Sequence, residues 1–133
     1  MLFAFVTKNK RDVILTTSAP APIGPYSQAI KTGHMLYVSG QIGFNLEGKL
    51  DSTSIETECK QVMENIKAIV EAGGLKMNHV VKATIYTTDL KNFARINDVY
   101  KTYFAANPPA RETVQVSALP KGAHVEISII AEE

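Results

Sequence analysis

A chain of 133 residues, 45% of them apolar, is long enough for one hydrophobic core and too short for two, so a single domain over residues 1–133 is expected. Fourteen Lys and Arg against thirteen Asp and Glu, with both signs scattered along the chain, exclude a basic face that tracks nucleic acid. One cysteine, Cys59, excludes an intrachain disulfide, and no apolar run approaches the roughly 20 residues that span a bilayer.

Met1 to Val6 is apolar and precedes Lys8, Lys10 and Arg11, the reverse of the charge-first order of a secretory signal. Residues 1–11 read as a loosely ordered extension and the protein as cytoplasmic, with a mitochondrial location as the alternative. Residues 12–17 hold a short β-branched run. The stretch Ser18-Ala19-Pro20-Ala21-Pro22-Ile23-Gly24-Pro25 follows as a stiff loop, because proline lacks a donor and glycine costs backbone entropy, and it delivers Tyr26. Residues 27–31 and 35–39 read as strands joined at Thr32-Gly33-His34, with Leu36 and Val38 toward the core and Tyr37 and Ser39 opposite. Gly40 to Gly43 and Asn45 to Gly48 are loop signals.

Thr53 with Glu56 three residues on has the form of a capping box, and Ile55, Cys59, Val62, Ile66, Ile69 and Val70 recur at helical spacing until Gly73-Gly74. Cys59 on that stripe reads as a buried, inert thiol. Lys60, Glu64, Lys67 and Glu71 form a solvated face. Residues 80–87 are a β-branched strand. Asp89 or Asn92 then caps a second helix striped by Phe93, Ile96, Tyr100, Tyr103 and Phe104, which Asn107-Pro108-Pro109 ends.

The last quarter alternates twice. Val114, Val116 and Ala118 share one face of the first segment, leaving Arg111, Thr113, Gln115 and Ser117 on the other. Val125, Ile127 and Ile129 oppose Glu126 and Ser128 in the second. Joined at Pro120-Lys121-Gly122, the two are expected to pair as a hairpin with Arg111 and Glu126 near the open ends of one ladder. One reading is a site for a small carboxylate; the other is a surface ion pair worth about 0 to 1 kcal/mol.

Strands interleaved with two amphipathic helices imply an α+β fold, one mixed sheet with both helices on one face. The bare face would carry Met35, Tyr37, Thr84, Tyr86, Gln115 and Ser128, too apolar for water, which points to self-association with sites at the subunit seams. His34, His79 and His124 sit in separate connections with no carboxylate or thiol at ligand spacing, so no metal site is expected.

The motifs Ile23-Gly24-Pro25-Tyr26-Ser27-Gln28-Ala29, Val38-Ser39-Gly40-Gln41-Ile42, residues 94–100 with Asn97, Pro109-Ala110-Arg111, Leu119-Pro120-Lys121-Gly122 and Val125-Glu126-Ile127 stand in order from about residue 18 to the C-terminus. Together they closely resemble the RidA/YjgF reactive-intermediate deaminase family. The resemblance implies a chorismate-mutase-like fold, a homotrimer with three inter-subunit clefts, and cofactor-free hydrolysis of 2-iminobutanoate and 2-iminopropanoate to 2-keto acids and ammonia. By the same resemblance Arg111 holds the substrate carboxylate and Glu126 orients or activates water. Tyr26, Ser39 and Asn97 line the cleft, the Thr113 carbonyl helps fix the water, and Phe93 and Pro120 are apolar walls. Bland readings stand beside these: Ser39 as a hydroxyl bonded to backbone, Tyr26 as a packing aromatic, and Asn97 as a surface or helix-internal position. Two other functions remain: a non-catalytic keto-acid-binding module, and the ribonuclease or translation-inhibitor activity reported for some relatives, which the balanced charge disfavours.

Overall fold

Among the described residues the periods in the sequence become six strands and two α-helices, with boundaries shifted by a few residues. The computed structural model describes residues 10–133, in the order β1 (Arg11–Ile14), β2 (Ala29–Thr32), β3 (Met35–Gln41), α1 (Ile55–Ala72), β4 (Val80–Thr87), α2 (Phe93–Tyr100), β5 (Ala110–Gln115) and β6 (Val125–Glu132). Most of the expected leader, residues 1–9, lies outside the described part, and Arg11 already pairs with Thr32. No helix among the described residues is long and apolar enough to cross a membrane.

One sheet runs β1-β2-β3-β6-β4-β5. The first three strands form an antiparallel meander, β6 is antiparallel to both β3 and β4, and β5 is parallel to β4. Hence β3 and β4 are parallel strands joined through α1, and β4 and β5 are parallel strands joined through α2. Both crossovers step the same way across the sheet, so the right-handed rule puts both helices on one face. This is the expected α+β arrangement.

The expected hairpin does not form. β4 lies between β5 and β6, because the central slot lets β6 bond on both edges and bury Val125, Ile127, Ile129 and Ala131. The connection still reverses the chain, but it crosses the end of β4, so the two strands flank β4 instead of pairing with each other. There the Val116 N–H donates to the Thr87 carbonyl at 2.9 Å and the Thr88 N–H donates to that of His124 at 3.1 Å.

Register sets the faces. Leu36, Val38, Ala83, Ile85 and Ile127 meet Val62, Met63, Ile66 and Ile69 of α1 and Ile96 and Tyr100 of α2 in one core. On β5 the expected apolar and polar faces are exchanged. Arg111 lies beside Ala83 and Thr113 beside Ile85, so both point to the helix side, while Val114 is 43% exposed on the bare face. Gln115, expected on the bare face, lies beside Thr87 and accepts the Leu90 N–H at 2.9 Å. An edge strand at the rim of the helical layer has little core to enforce a face, and alternation alone does not say which side is in. The bare face does carry Met35, Tyr37, Thr84, Tyr86 and Ser128 as expected, together with Val13, Ile30 and Val114.

Capping also differs in detail. Ser54, not Thr53, caps α1 by accepting the Thr57 N–H at 3.0 Å. Glu56 closes no capping box; it takes Arg95 Nε and Nη2 at 2.6 Å each, tying α1 to α2, and those hydrogen bonds hold its carboxyl below the ordinary range. Asp89 accepts the Lys91 N–H at 2.9 Å and starts a 3₁₀ turn that leads into α2, which gives way after Tyr100 to a second such turn.

Candidate functional site

Glu126 owes its setting to a bulge in β3. Val38 pairs with Ile129 but Gln41 pairs with Ile127, so Ser39 and Gly40 together face a single residue of β6. The carboxyl of Glu126 lies directly on Gly40, where a Cβ would collide with its Oε1 and stand 2.9 Å from its Cδ. Only glycine leaves that space. Glu126, Tyr26, Ser39 and Pro120 line a cavity of about 250 Å³ beneath the proline-rich loop. Burial pushes the Glu126 carboxyl above its ordinary range, because the charged form loses hydration there.

The loop that roofs this cavity hangs on Gln28, which is 1% exposed. Its Oε1 accepts the Thr16 N–H at 2.8 Å, and its Nε2 donates to the carbonyls of Thr16 at 3.1 Å and Pro20 at 2.9 Å. Tyr26 is fixed locally: its N–H donates to the Gly24 carbonyl at 2.8 Å and its hydroxyl accepts the Ile23 N–H at 3.2 Å. Ser39 Oγ donates to the Ser27 carbonyl at 2.6 Å, so its proton is committed to backbone while its lone pairs stay free to accept.

Arg111 occupies a second setting, between the rings of α2. Its Cζ lies 5.6 Å from the Phe93 ring centre and 4.9 Å from that of Tyr100, within cation–π range. Around it Asn97 Oδ1, Tyr100 Oη and Thr113 Oγ1 are buried without a hydrogen-bond partner. Native proteins satisfy nearly all such atoms with protein groups or ordered water, so these three are polar groups open to a water or a bound molecule. Burial lifts the Tyr100 phenol to about 12, which keeps it a neutral hydrogen-bonding group near pH 7.

The two settings do not meet within one chain. Arg111 sits beside Ala83 and Glu126 beside Tyr86, three residues apart on β4 and therefore on opposite faces of the sheet. The picture of one ladder with a charge at each end is corrected accordingly. Tyr26, Ser39, Pro120 and Glu126 gather at the bulge, whereas Phe93, Asn97, Arg111 and Thr113 gather at the edge strand.

Sequence reasoning passed over three contributors. Gly40 read as a loop signal, Tyr100 as one member of an apolar stripe, and Gln28 as an ordinary strand residue. A hydroxyl-bearing ring on a core stripe and an amide at the root of a proline-rich loop were the available signals. Among the described residues no three His, Cys, Asp or Glu side chains converge as metal ligands. His79 Nδ1 accepts the Lys76 N–H, and His124 Nδ1 lies 2.9 Å from Glu58 Oε2.

A mixed six-stranded sheet with two helices on one face, a carboxyl at a bulge-side cavity and an arginine held by aromatic rings define a small α+β protein with two separate polar settings. A family model described as Endoribonuclease L-PSP matches residues 16–133. The RutC family protein of Pyrococcus horikoshii is 48% identical over 122 residues, covering 91% of this chain and 97% of its own. The 2-iminobutanoate/2-iminopropanoate deaminase of Mus musculus is 46% identical over 122 residues, covering 91% and 90%. The crystal structure of RidA from an Antarctic Psychrobacter species matches with a TM-score of 0.89 at 46% identity, covering 92% of this chain and 99% of that one. The chain belongs to this family, the RidA/YjgF family that its motifs resemble.

Proposed function

We propose that this protein hydrolyses small 2-imino acids, 2-iminobutanoate and 2-iminopropanoate, to 2-keto acids and ammonia, at sites that form across the seams of a homotrimer. The carrying observation is the division of the chemistry. A cationic fork with orphaned polar neighbours lies on one sheet face and a desolvated carboxyl beside a cavity lies on the other, so two copies must meet to bring them together. The half-apolar bare face, with Tyr37 45% and Val13 57% exposed, is the surface such copies would cover.

In the joined site Arg111 holds the substrate carboxylate through two parallel hydrogen bonds, each worth roughly 1.5 to 3 kcal/mol. The imine carbon next to that carboxylate is electrophilic. Glu126 orients a water and takes its proton as the oxygen adds to the C=N carbon; a carboxyl raised above its ordinary range is the stronger base. The proton passes to nitrogen to give a carbinolamine, whose hydroxyl proton then moves to the amine as the C–N bond breaks and the C=O bond forms, and keto acid and ammonia leave. The Thr113 carbonyl steadies the water, Tyr26, Ser39 and Asn97 offer polar contacts, and Phe93 and Pro120 wall the substrate side chain. The mouse relative's name supports this reading.

The test is to generate the imine in place with an amino-acid oxidase and trap it with semicarbazide. The wild type is expected to abolish trapping and Arg111→Ala to behave as if no protein were present; trapping untouched by the wild type overturns the activity. The family model's description favours a nuclease reading, which a net charge of +1 supports poorly because phosphate binding draws on clustered Lys and Arg. Keto-acid binding without turnover would instead identify a ligand-binding module.

A further inference from the structure

α1 buries two polar side chains, Glu58 and Asn65, each 1% exposed and two turns apart on its core stripe. Glu58 Oε1 accepts the N–H groups of His124 at 2.6 Å and Val125 at 3.3 Å, and its Oε2 lies 2.9 Å from His124 Nδ1. Asn65 Nδ2 donates to the carbonyls of Ile42 at 3.2 Å and Phe44 at 2.9 Å. Gly43, between those two carbonyls, packs so tightly that a Cβ would stand 2.8 Å from Glu58 Cγ and 2.9 Å from the Glu58 carbonyl oxygen. The helix thus grips from behind the two segments that wall the cavity: the stretch 42–44 and the start of β6, where Glu126 directly follows Val125.

Burying a carboxyl is costly unless its oxygens are well used. A neutral acceptor would satisfy one backbone N–H equally well. Two oxygens shared among two N–H groups and an imidazole do more, since they fix the rotation of the peptides just before Glu126.

We infer that Glu58 is a positioning residue for Glu126: its grip on residues 124 and 125 sets the direction in which the Glu126 side chain enters the cavity, while Asn65 sets the facing wall. Its kinetic consequence rests on the deaminase reading; its structural consequence does not.

Glu58→Met fills a similar volume without an acceptor, and Glu58→Gln returns one acceptor oxygen. In the semicarbazide assay Glu58→Met is expected to lower kcat about 10²-fold, the scale of a 1 Å misplacement at a reacting group, while KM stays within about twofold because Arg111 is untouched. Glu58→Gln should recover most of the loss. A KM that rises along with the fall in kcat, or a loss that Glu58→Gln does not recover, overturns the role. If Glu58→Met does not fold, His124→Ala at a half-exposed position removes the side-chain half of the grip. That variant should lower kcat less, again at constant KM, and no loss at all overturns the role.

A second arm needs no activity. The Glu126 carboxyl carbon, assigned with Glu126→Gln, is titrated by carbon-13 NMR. Its midpoint is expected to fall toward the ordinary value in Glu58→Met and to return in Glu58→Gln; an unchanged midpoint in Glu58→Met overturns the positioning role. A wild type that hydrolyses no imine overturns the deaminase reading, and this titration then decides the positioning role alone.

Discussion

Gly40 shows how closely one position governs the site. Its backbone needs no special dihedral, so a side chain there is excluded by the Glu126 carboxyl and not by strain. Gly40→Ala is therefore expected to fold, with a thermal midpoint near that of the wild type, and to lose imine hydrolysis about as fully as Glu126→Gln. Activity retained in a folded Gly40→Ala would show that the carboxyl need not lie against the bulge. Glu126 itself carries a pH signature. Its folded pKa stands above the ordinary 4.5, so between that ordinary value and the folded one the folded state holds the proton more tightly than the unfolded chain does. The stability this contributes is full below the unfolded pKa and is lost as pH rises through the folded one. The gain in melting temperature of Glu126→Gln over wild type should thus be larger near pH 7 than near pH 4, by scanning calorimetry. A gap that shrinks with rising pH would mean that the carboxylate is stabilised in the native protein.

Among the elements, α1 is both core and scaffold, and Cys59 reports on it. The thiol is fully buried and burial pushes it up to about 12, with the neighbouring Glu58 and Glu56 adding to the shift. Native protein is expected to resist a thiol reagent at pH 8 and to react at the rate of global unfolding, since only opening of α1 exposes the sulfur. Fast labelling under native conditions would indicate a locally mobile helix. This burial was legible from the spacing of Ile55, Cys59, Val62 and Ile66, as were both helices, most strands to within a few residues and the single helix-covered face. The place of β6 was not. Two alternating segments with a short connection carry the same pattern whether they pair with each other or bracket a third strand, and only the competition for the central slot decides it. The face of β5 was lost for a related reason, because period fixes which residues go together and not which way they point. At the site, Arg111 and Glu126 stood out because charges on alternating strands are visible in one dimension. Glu58, Asn65 and Gln28 did not, because a buried polar residue is recognised by its partners, here 21 to 67 residues away along the chain for Glu58 and Asn65.

At the scale of the whole molecule, a chain whose acid and cation face opposite ways has a testable property. If the protein forms the proposed homotrimer and each seam takes Arg111 from one protomer and Glu126 from its neighbour, then Arg111→Ala trimers and Glu126→Gln trimers each lack one half of every site. Mixed trimers contain seams where a Glu126→Gln protomer contributes its intact Arg111 and an Arg111→Ala protomer contributes its intact Glu126. Random reassembly of equal amounts, after joint unfolding and refolding, makes such seams in about a quarter of cases for a cyclic homo-oligomer. Imine hydrolysis is then expected to return from near zero to about a quarter of the wild-type rate, and simple mixing without reassembly should restore none. A site contained in one protomer cannot be rescued this way, because every protomer in the mixture carries a defect. Reassembled mixtures that stay inactive, with trimers verified by light scattering, would therefore count against the shared seam and leave the two half-sites of this chain without a common substrate.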